Sequence, residues 1–327
     1  IPCKGRGKAY RTGSKELGER LTRIQFKRMY YFTYGLLYLI SLLPMAVLYV
    51  FADGLYLLIY YVVGYRKKVV MNNLDIAFPE KSREEKIDIA KKFYRNFVDN
   101  FIEAIKLVSA GPEFIRKRMV GDPSIFEYLY SKGLRCQLHL GHNFNWELAN
   151  VSMPLYVKQT FIVVYMPISS KAFEKLFYKI RTKTGSALIP ATDMKNGMWR
   201  YRDKVYILTL VADQAPGNMK KAYWLPFFGR PTPFVQGPER GARIGNIPVV
   251  FANITKSKRG HYHFHATLAA ENPGILPEGE LTRMYISYLE KVISEYPEMW
   301  LWTHRRWKRA WDESYSKQWI GEDLPSL

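Results

Sequence analysis

Residues 134–150 read LRCQLHLGHNFNWELAN, and the fold is decided by how this stretch is parsed. The apolar run at 134–140 has the length of a strand, Gly141 offers a permissive turn, and Asn143 or Asn145 can cap a helix that follows. A strand leading through a tight turn into a helix is the repeating unit of an α/β layer. The rest of the chain repeats the pattern. Apolar runs at 160–165 (TFIVVY), 205–212 (VYILTLVA) and 247–253 (IPVVFAN) read as further strands, while 144–153, 171–184, 193–202 and 278–296 read as helices. The expected fold class is α/β, a layered α/β/α domain with a mostly parallel sheet.

Upstream, Ser82 and Glu85 stand at capping-box spacing, and Ile89, Phe93, Phe97, Phe101 and Ile105 follow at helical intervals. The spacing predicts a helix of about seven turns that ends at Gly111-Pro112. Farther upstream, between Arg28 and Arg66, the only charge is Asp53. The charge-free part, Met29 to Ala52, is 24 residues long. At about 1.5 Å per residue it reaches roughly 36 Å, against about 30 Å of hydrocarbon. Gly54 to Tyr65 adds 12 residues suited to a helix lying in the interface. The expected organisation is a basic tail at 1–28, an N-terminal membrane-anchoring helix within 29–68, and one globular domain over 69–327.

Nine Lys or Arg precede the apolar stretch, and Arg66, Lys67 and Lys68 follow it, so both flanks ask for the cytoplasmic side. A single crossing misplaces one flank, whereas a re-entrant or monotopic anchor satisfies both. The sequence opens on Ile1, and Met29 stands immediately before the apolar run, so the working protein is expected to begin near Met29.

Composition narrows the function. An apolar content of 48% with two cysteines excludes a disordered chain and a disulfide scaffold. With 49 Lys and Arg against 29 Asp and Glu the chain carries +20, which attracts an anionic partner: nucleic acid, acidic membrane or acidic carrier protein. There is no P-loop, no GxGxxG, no GxSxG elbow and no HExxH. His261, His263 and His265 alternate along one strand face without an accompanying acidic or thiol pattern, so no metal is implied.

His142 and Glu147 are five apart, about 140° on a regular helix, and meet only if His142 sits in the turn before that helix. His139 and His142 fall near the carboxyl end of a strand, where open α/β sheets bind ligands. Such a His is a general base with no Ser or Cys of its own beside it. The nucleophile then belongs to the incoming molecule, as in hydroxyl acylation.

The string GHNFNWELAN resembles the HX4(D/E) motif of membrane-associated acyltransferases, and more closely the lipid A biosynthesis (lauroyl and myristoyl) acyltransferase family. Further similar segments come in order: NNLDIAFPEKS, RTKTG at 181–185, VADQAP at 211–216, FFGRPTPFVQGPERGARIGNIPVV at 227–250, and PEMWLWTHRRWK at 297–308. The resemblance implies an O-acyltransferase with His142 as general base and Glu147 as its partner. Arg181 and Asp213 fall where the family has a functional Arg and Asp. The implied partners are acyl carrier protein as donor, a lipid A precursor as acceptor and the anionic bacterial inner membrane, with the catalytic domain facing the cytoplasm. No metal or organic cofactor is implied.

The residues themselves leave alternatives. Arg181 reads as a phosphate or phosphopantetheine ligand, or as part of a solvated basic face with Lys179 and Lys183. Asp213 ends an apolar strand and points to the same cleft, or merely caps a turn. Glu239, Arg240 and Arg243 read as a headgroup site or as an ion network. GPERGAR matches the phosphate-binding EGTR block of the glycerol-phosphate branch only loosely, which disfavours a simple glycerol-phosphate acceptor; a lysophospholipid, aminolipid or glycolipid remains an alternative. A membrane-tethered nucleic-acid-binding protein is suggested by the charge and by Trp300, Trp302, Trp307, Trp311 and Trp319 among basic residues. Packing against the sheet with an amphipathic rim suits those tryptophans better, so no nucleic acid is expected.

Overall fold

In the computed structural model, residues 28–325 are described. The basic tail and the start expected near Met29 concern residues that lie almost wholly outside this range. Helix α1 covers 28–42 and α2 covers Met45–Leu57, continued by a π turn at Leu58–Val63 that ends at Gly64 in the left-handed region (φ 63°). The apolar stretch therefore does not divide at Asp53. Pro44 lacks an N–H and its ring excludes the preceding turn, so the break falls there. The continuous apolar helix is Met45–Val63, 19 residues, long and apolar enough to cross a bilayer by length and composition. The freed carbonyls of α1 are capped from elsewhere: Lys106 Nζ donates to Ser41 O and Leu43 O at 2.8 and 3.0 Å, and Ser109 Oγ donates to Ser41 O at 2.9 Å.

After α3 (Lys67–Ala77), α4 covers Arg83–Lys106 and opens with the anticipated capping box. Ser82 Oγ accepts from Glu85 N–H at 3.2 Å, and Glu85 Oε2 accepts from Ser82 N–H at 2.7 Å. The helix stops at Lys106, short of Gly111, and loose turns fill the gap. Ser82→Ala is expected to lower stability by about 1 kcal/mol. Urea denaturation measures it, and Ser82→Asp should restore most of the loss.

The domain continues through α5 (Pro112–Arg118), β1 (Met119–Gly121), α6 (Ser124–Ser131), β2 (Cys136–Leu140), α7 (Trp146–Ser152), β3 (Thr160–Tyr165), α8 (Lys171–Thr182), β4 (Ala187–Pro190), α9 (Met194–Trp199) and β5 (Tyr206–Val211). A hairpin of β6 (Ala222–Phe227) and β7 (Arg230–Val235) follows, then α10 (Gly237–Gly245), β8 (Val249–Lys258), β9 (His261–Ala270) and α11 (Glu280–Glu295). The hairpin turns on Phe228 and Gly229, both at positive φ (50° and 69°), as a two-residue turn between twisted strands requires.

The main sheet has seven strands in the order β1-β9-β8-β2-β5-β3-β4, parallel throughout except for β8 against β9. All five residues of β2 are buried, so both faces of the sheet are covered there. Successive residues serve different layers. Phe161 and Ile207 enter the main core, while Ile162 and Leu208 join a smaller core with Ile189 and Tyr206 that Met194 and Met198 of α9 pack against. This is the α/β layered domain with a mostly parallel sheet that the alternation implied.

Candidate active site

Strands β2 and β5 are parallel neighbours, with Leu140 opposite Val211. Two residues beyond each lie His142 and Asp213, so the sheet register alone brings them together at its carboxyl edge. His142 Nδ1 lies 2.5 Å from Asp213 Oδ1, and the His142 backbone N–H donates to Asp213 Oδ2 at 2.8 Å. Trp300 Nε1–H donates to that same Oδ2 at 2.7 Å. A Cβ at Gly141 would meet Leu289 Cδ1 at 2.7 Å and Asp213 Oδ2 at 3.3 Å, so a side chain there would force Leu289 to shift and crowd the Asp213 carboxylate.

Asp213 is buried, which by itself raises its carboxyl pKa, but the His142 ring, the His142 N–H and Trp300 outweigh burial and hold it at about 2. An ionised carboxylate only accepts, so Nδ1 of His142 carries a proton, and in the neutral ring the lone pair lies on Nε2. The Gln214 amide lies 3.1 Å from that Nε2. The His142 side chain is 25% exposed, with its ring edge-on to Trp146, so solvent and a substrate reach it.

Because the Asp213 pKa is depressed from 3.8, the group stabilises the fold above pH 4, and this contribution is lost as pH falls toward 2. The difference amounts to about 2 kcal/mol. Urea denaturation between pH 4 and 2 should show a steeper loss for the natural chain than for Asp213→Asn.

Glu147 stands in the first turn of α7, buried, with Asn145 Oδ1 capping that helix by accepting from Leu148 N–H at 3.0 Å. The expected His142–Glu147 pair does not form. Glu147 instead grips Arg181 of α8 bidentately: Arg181 Nε donates to Oε2 at 2.9 Å and Nη2 donates to Oε1. The planar guanidinium matches the two Glu147 oxygens, while the His142 ring is taken by Asp213. Removing one partner of a buried pair strands the other charge. Glu147→Ala is expected to cost about 3 kcal/mol, at the low end for such pairs because Arg181 retains some exposure. Thermal melts should show partial recovery in the double variant Glu147→Ala with Arg181→Met.

Glu239 and Arg243 are placed differently from a headgroup site. Glu239 is 1% exposed, and its oxygens accept from Gly279 N–H (2.6 Å), Thr282 N–H (2.9 Å) and Thr282 Oγ1 (2.5 Å), tying α10 to the start of α11. Arg243 donates through Nε to Leu276 O at 3.0 Å and sits 3.9 Å from Glu239. Both side chains are occupied by intramolecular partners. His139 is buried beside the Gln137 amide, and burial pushes its pKa down to about 3, so it is a neutral core residue.

Two of the carboxyl-terminal tryptophans, Trp300 and Trp302, are enclosed and offer no face to a base. Trp307, Trp311 and Trp319 are half-buried, with Trp307 stacked on Phe227 at 5.5 Å between centroids and Trp311 edge-on to Trp224 at 5.4 Å. Arg306, also buried, lies over Phe234 and donates to Pro233 O at 2.7 Å.

Two buried acids of α4, Asp99 and Glu103, carry no signal in the sequence. Glu103 of α4 accepts from Asn145 Nδ2 (2.8 Å), Tyr262 OH (2.9 Å) and Tyr49 OH (2.9 Å), and so ties the cap of α7 to β9 and α2. Burial and the neighbouring Asp99 raise its carboxyl pKa against these hydrogen bonds. In the sequence it is one more acid on an amphipathic helix, with no mark of its own.

The structure thus sets an imidazole, backed by a buried carboxylate, at the carboxyl edge of a parallel sheet. Residues 19–309 match the family model described as bacterial lipid A biosynthesis acyltransferase, and the chain belongs to that family. It is an acyltransferase of the lipid A type, with a lipid acceptor and an acyl donor as its substrates. No match to the chain was found among curated proteins.

Proposed function

We propose that the protein transfers a fatty acyl chain from acyl carrier protein to a hydroxyl of a lipid A precursor at the cytoplasmic face of the bacterial inner membrane. The observation that carries this reading is the hydrogen-bonded His142–Asp213 pair, with Nε2 left as the base. His142 Nε2 takes the proton of the acceptor hydroxyl as its oxygen attacks the thioester carbonyl. The tetrahedral intermediate then expels the carrier thiolate, which takes the proton back from the imidazolium, leaving an ester and a free thiol. Asp213 stabilises the imidazolium while it lasts and holds the ring in the right tautomer.

Arg181, held by Glu147 through Nε and Nη2, offers its remaining Nη1 donors to a phosphate of the acceptor or of the phosphopantetheine arm. The +20 charge suits both an acidic carrier and an anionic membrane. The test is transfer of a labelled acyl group in mixed micelles, with the products weighed by mass spectrometry. A lipid A precursor that gains one acyl chain from acyl carrier protein supports the reading. Transfer only from coenzyme A overturns the donor, transfer only to a lysophospholipid, aminolipid or glycolipid overturns the acceptor, and no transfer to any lipid overturns the whole.

A further inference from the structure

The apolar helix Met45–Val63 is bound to the catalytic domain along its entire length. It runs antiparallel to α4, and the contacts come in sequence. Tyr49 OH donates to Glu103, Asp53 pairs with Arg259, which in turn pairs with Asp99, Tyr56 lies under Arg95, and Tyr60 meets Tyr94 edge-on at 5.3 Å. The inward stripe is Leu48, Ala52, Tyr56 and Tyr60, each four residues from the next. Both ends are fastened to α4 as well. Lys106 holds the turn before Met45, and Tyr94 OH donates to Tyr65 O at 2.5 Å.

A helix that crosses a bilayer must separate from the water-soluble body beside it. Here Asp53 stands near the middle of the 19 residues, joined to Arg259 at 2.8 Å in the β8–β9 turn, which also holds Asp99 at 2.7 Å. Lys256 pairs with the same Asp99 at 3.2 Å. Set along the membrane normal, the helix would carry this four-charge cluster to the bilayer centre, with the exposed Asp88, Lys92 and Arg95 of α4 alongside. The Leu43–Pro44 turn would have to reach the far headgroups while still bonded to Lys106.

We infer that this segment does not span: α1 and Met45–Val63 lie flat in one leaflet of an anionic bilayer, docking the domain by their outer face. The inference rests on the membrane-bound reading above and specifies its geometry. That outer face is apolar: Phe32, Leu39, Val50, Phe51 and Val62 are 61–76% exposed. Cations stand on the side of these helices that faces the domain. Lys175 covers the buried Tyr30 and Lys179 covers Tyr34, each at 4.1 Å from the ring centre, and Lys67 covers the inward Tyr60 at 4.0 Å, so ammonium groups border the apolar face as beside a headgroup layer. An in-plane helix also keeps both basic flanks on one side, which a single crossing cannot do.

The test is a depth profile. The full chain, with Cys3→Ser and the buried Cys136 left in place, is spin-labelled singly at Val50→Cys, Phe51→Cys, Leu58→Cys and Val62→Cys. Detergent removal then reconstitutes it into phosphatidylethanolamine–phosphatidylglycerol vesicles. These side chains face outward, so labelling leaves the packed stripe intact. The expected result is one shared depth, about 5–10 Å below the phosphates, at all four sites. Depth changing by about 18 Å between positions 50 and 62, the rise of a helix along the normal, overturns the in-plane inference and leaves membrane attachment standing. Failure of the labelled chain to bind vesicles overturns the membrane-bound reading itself.

Discussion

His142→Ala should lower acyl transfer about 10²- to 10⁴-fold, the range general-base assistance contributes, with the fold unchanged. The loss falls on kcat, because the imidazole acts on the hydroxyl proton in the transition state and holds no other part of the substrate. The 25% exposed ring makes few packing contacts that alanine would forfeit. Its loss nevertheless leaves the buried Asp213 carboxylate with only the backbone N–H of position 142 and the Trp300 indole, so the melting temperature should fall while the chain stays folded and binds vesicles like the natural one. Transfer rates with acyl carrier protein as donor, measured beside a circular dichroism melt, decide the matter. A folded variant that turns over at the natural rate would remove the base from the mechanism.

The second large effect separates Asp213 from Glu147 as the acid that serves this base. Asp213→Asn preserves shape, and the amide oxygen can still accept from the Trp300 indole and the His142 N–H. Its NH₂, however, donates where the carboxylate accepted. The ring must then place its proton on Nε2, the atom that has to receive one. Transfer is expected to fall about 10³- to 10⁴-fold, as when a supporting Asp is neutralised in a catalytic triad. Glu147→Gln, which leaves that tautomer untouched, should act through Arg181 and raise KM for the phosphorylated substrate more than it lowers kcat. Near-natural kcat in Asp213→Asn would return the supporting role to another group.

Local features were legible because they depend on neighbours a few residues apart. The capping box at Ser82 and Glu85 formed as spaced, since both bonds close within one turn. The strands at 160–165 and 205–212 were recognisable by their apolar runs, and β3 spans the predicted residues. The apolar stretch misled at Asp53. Charge drew attention there, but a proline interrupts a helix and a single Asp does not, and Arg259, 206 residues away, neutralises that Asp. Glu239 misled for the same reason: beside Arg240 and Arg243 it looked like a ligand site, but its hydrogen-bond partners belong to α11.

From the sequence alone came the α/β pattern, the helix-capping Asn after His142, and an imidazole delivered at a strand end with no nucleophile beside it. The five-residue spacing allowed a pairing of Glu147 with His142 only if His142 stood in the turn before the helix; it does stand there, and Glu147 nevertheless goes to Arg181. Only the folded sheet decided which acid meets His142. Hydrogen bonding sets Leu140 beside Val211 across a separation of 71 residues, and that register, invisible to any local spacing rule, puts Asp213 under the ring and leaves Glu147 to Arg181.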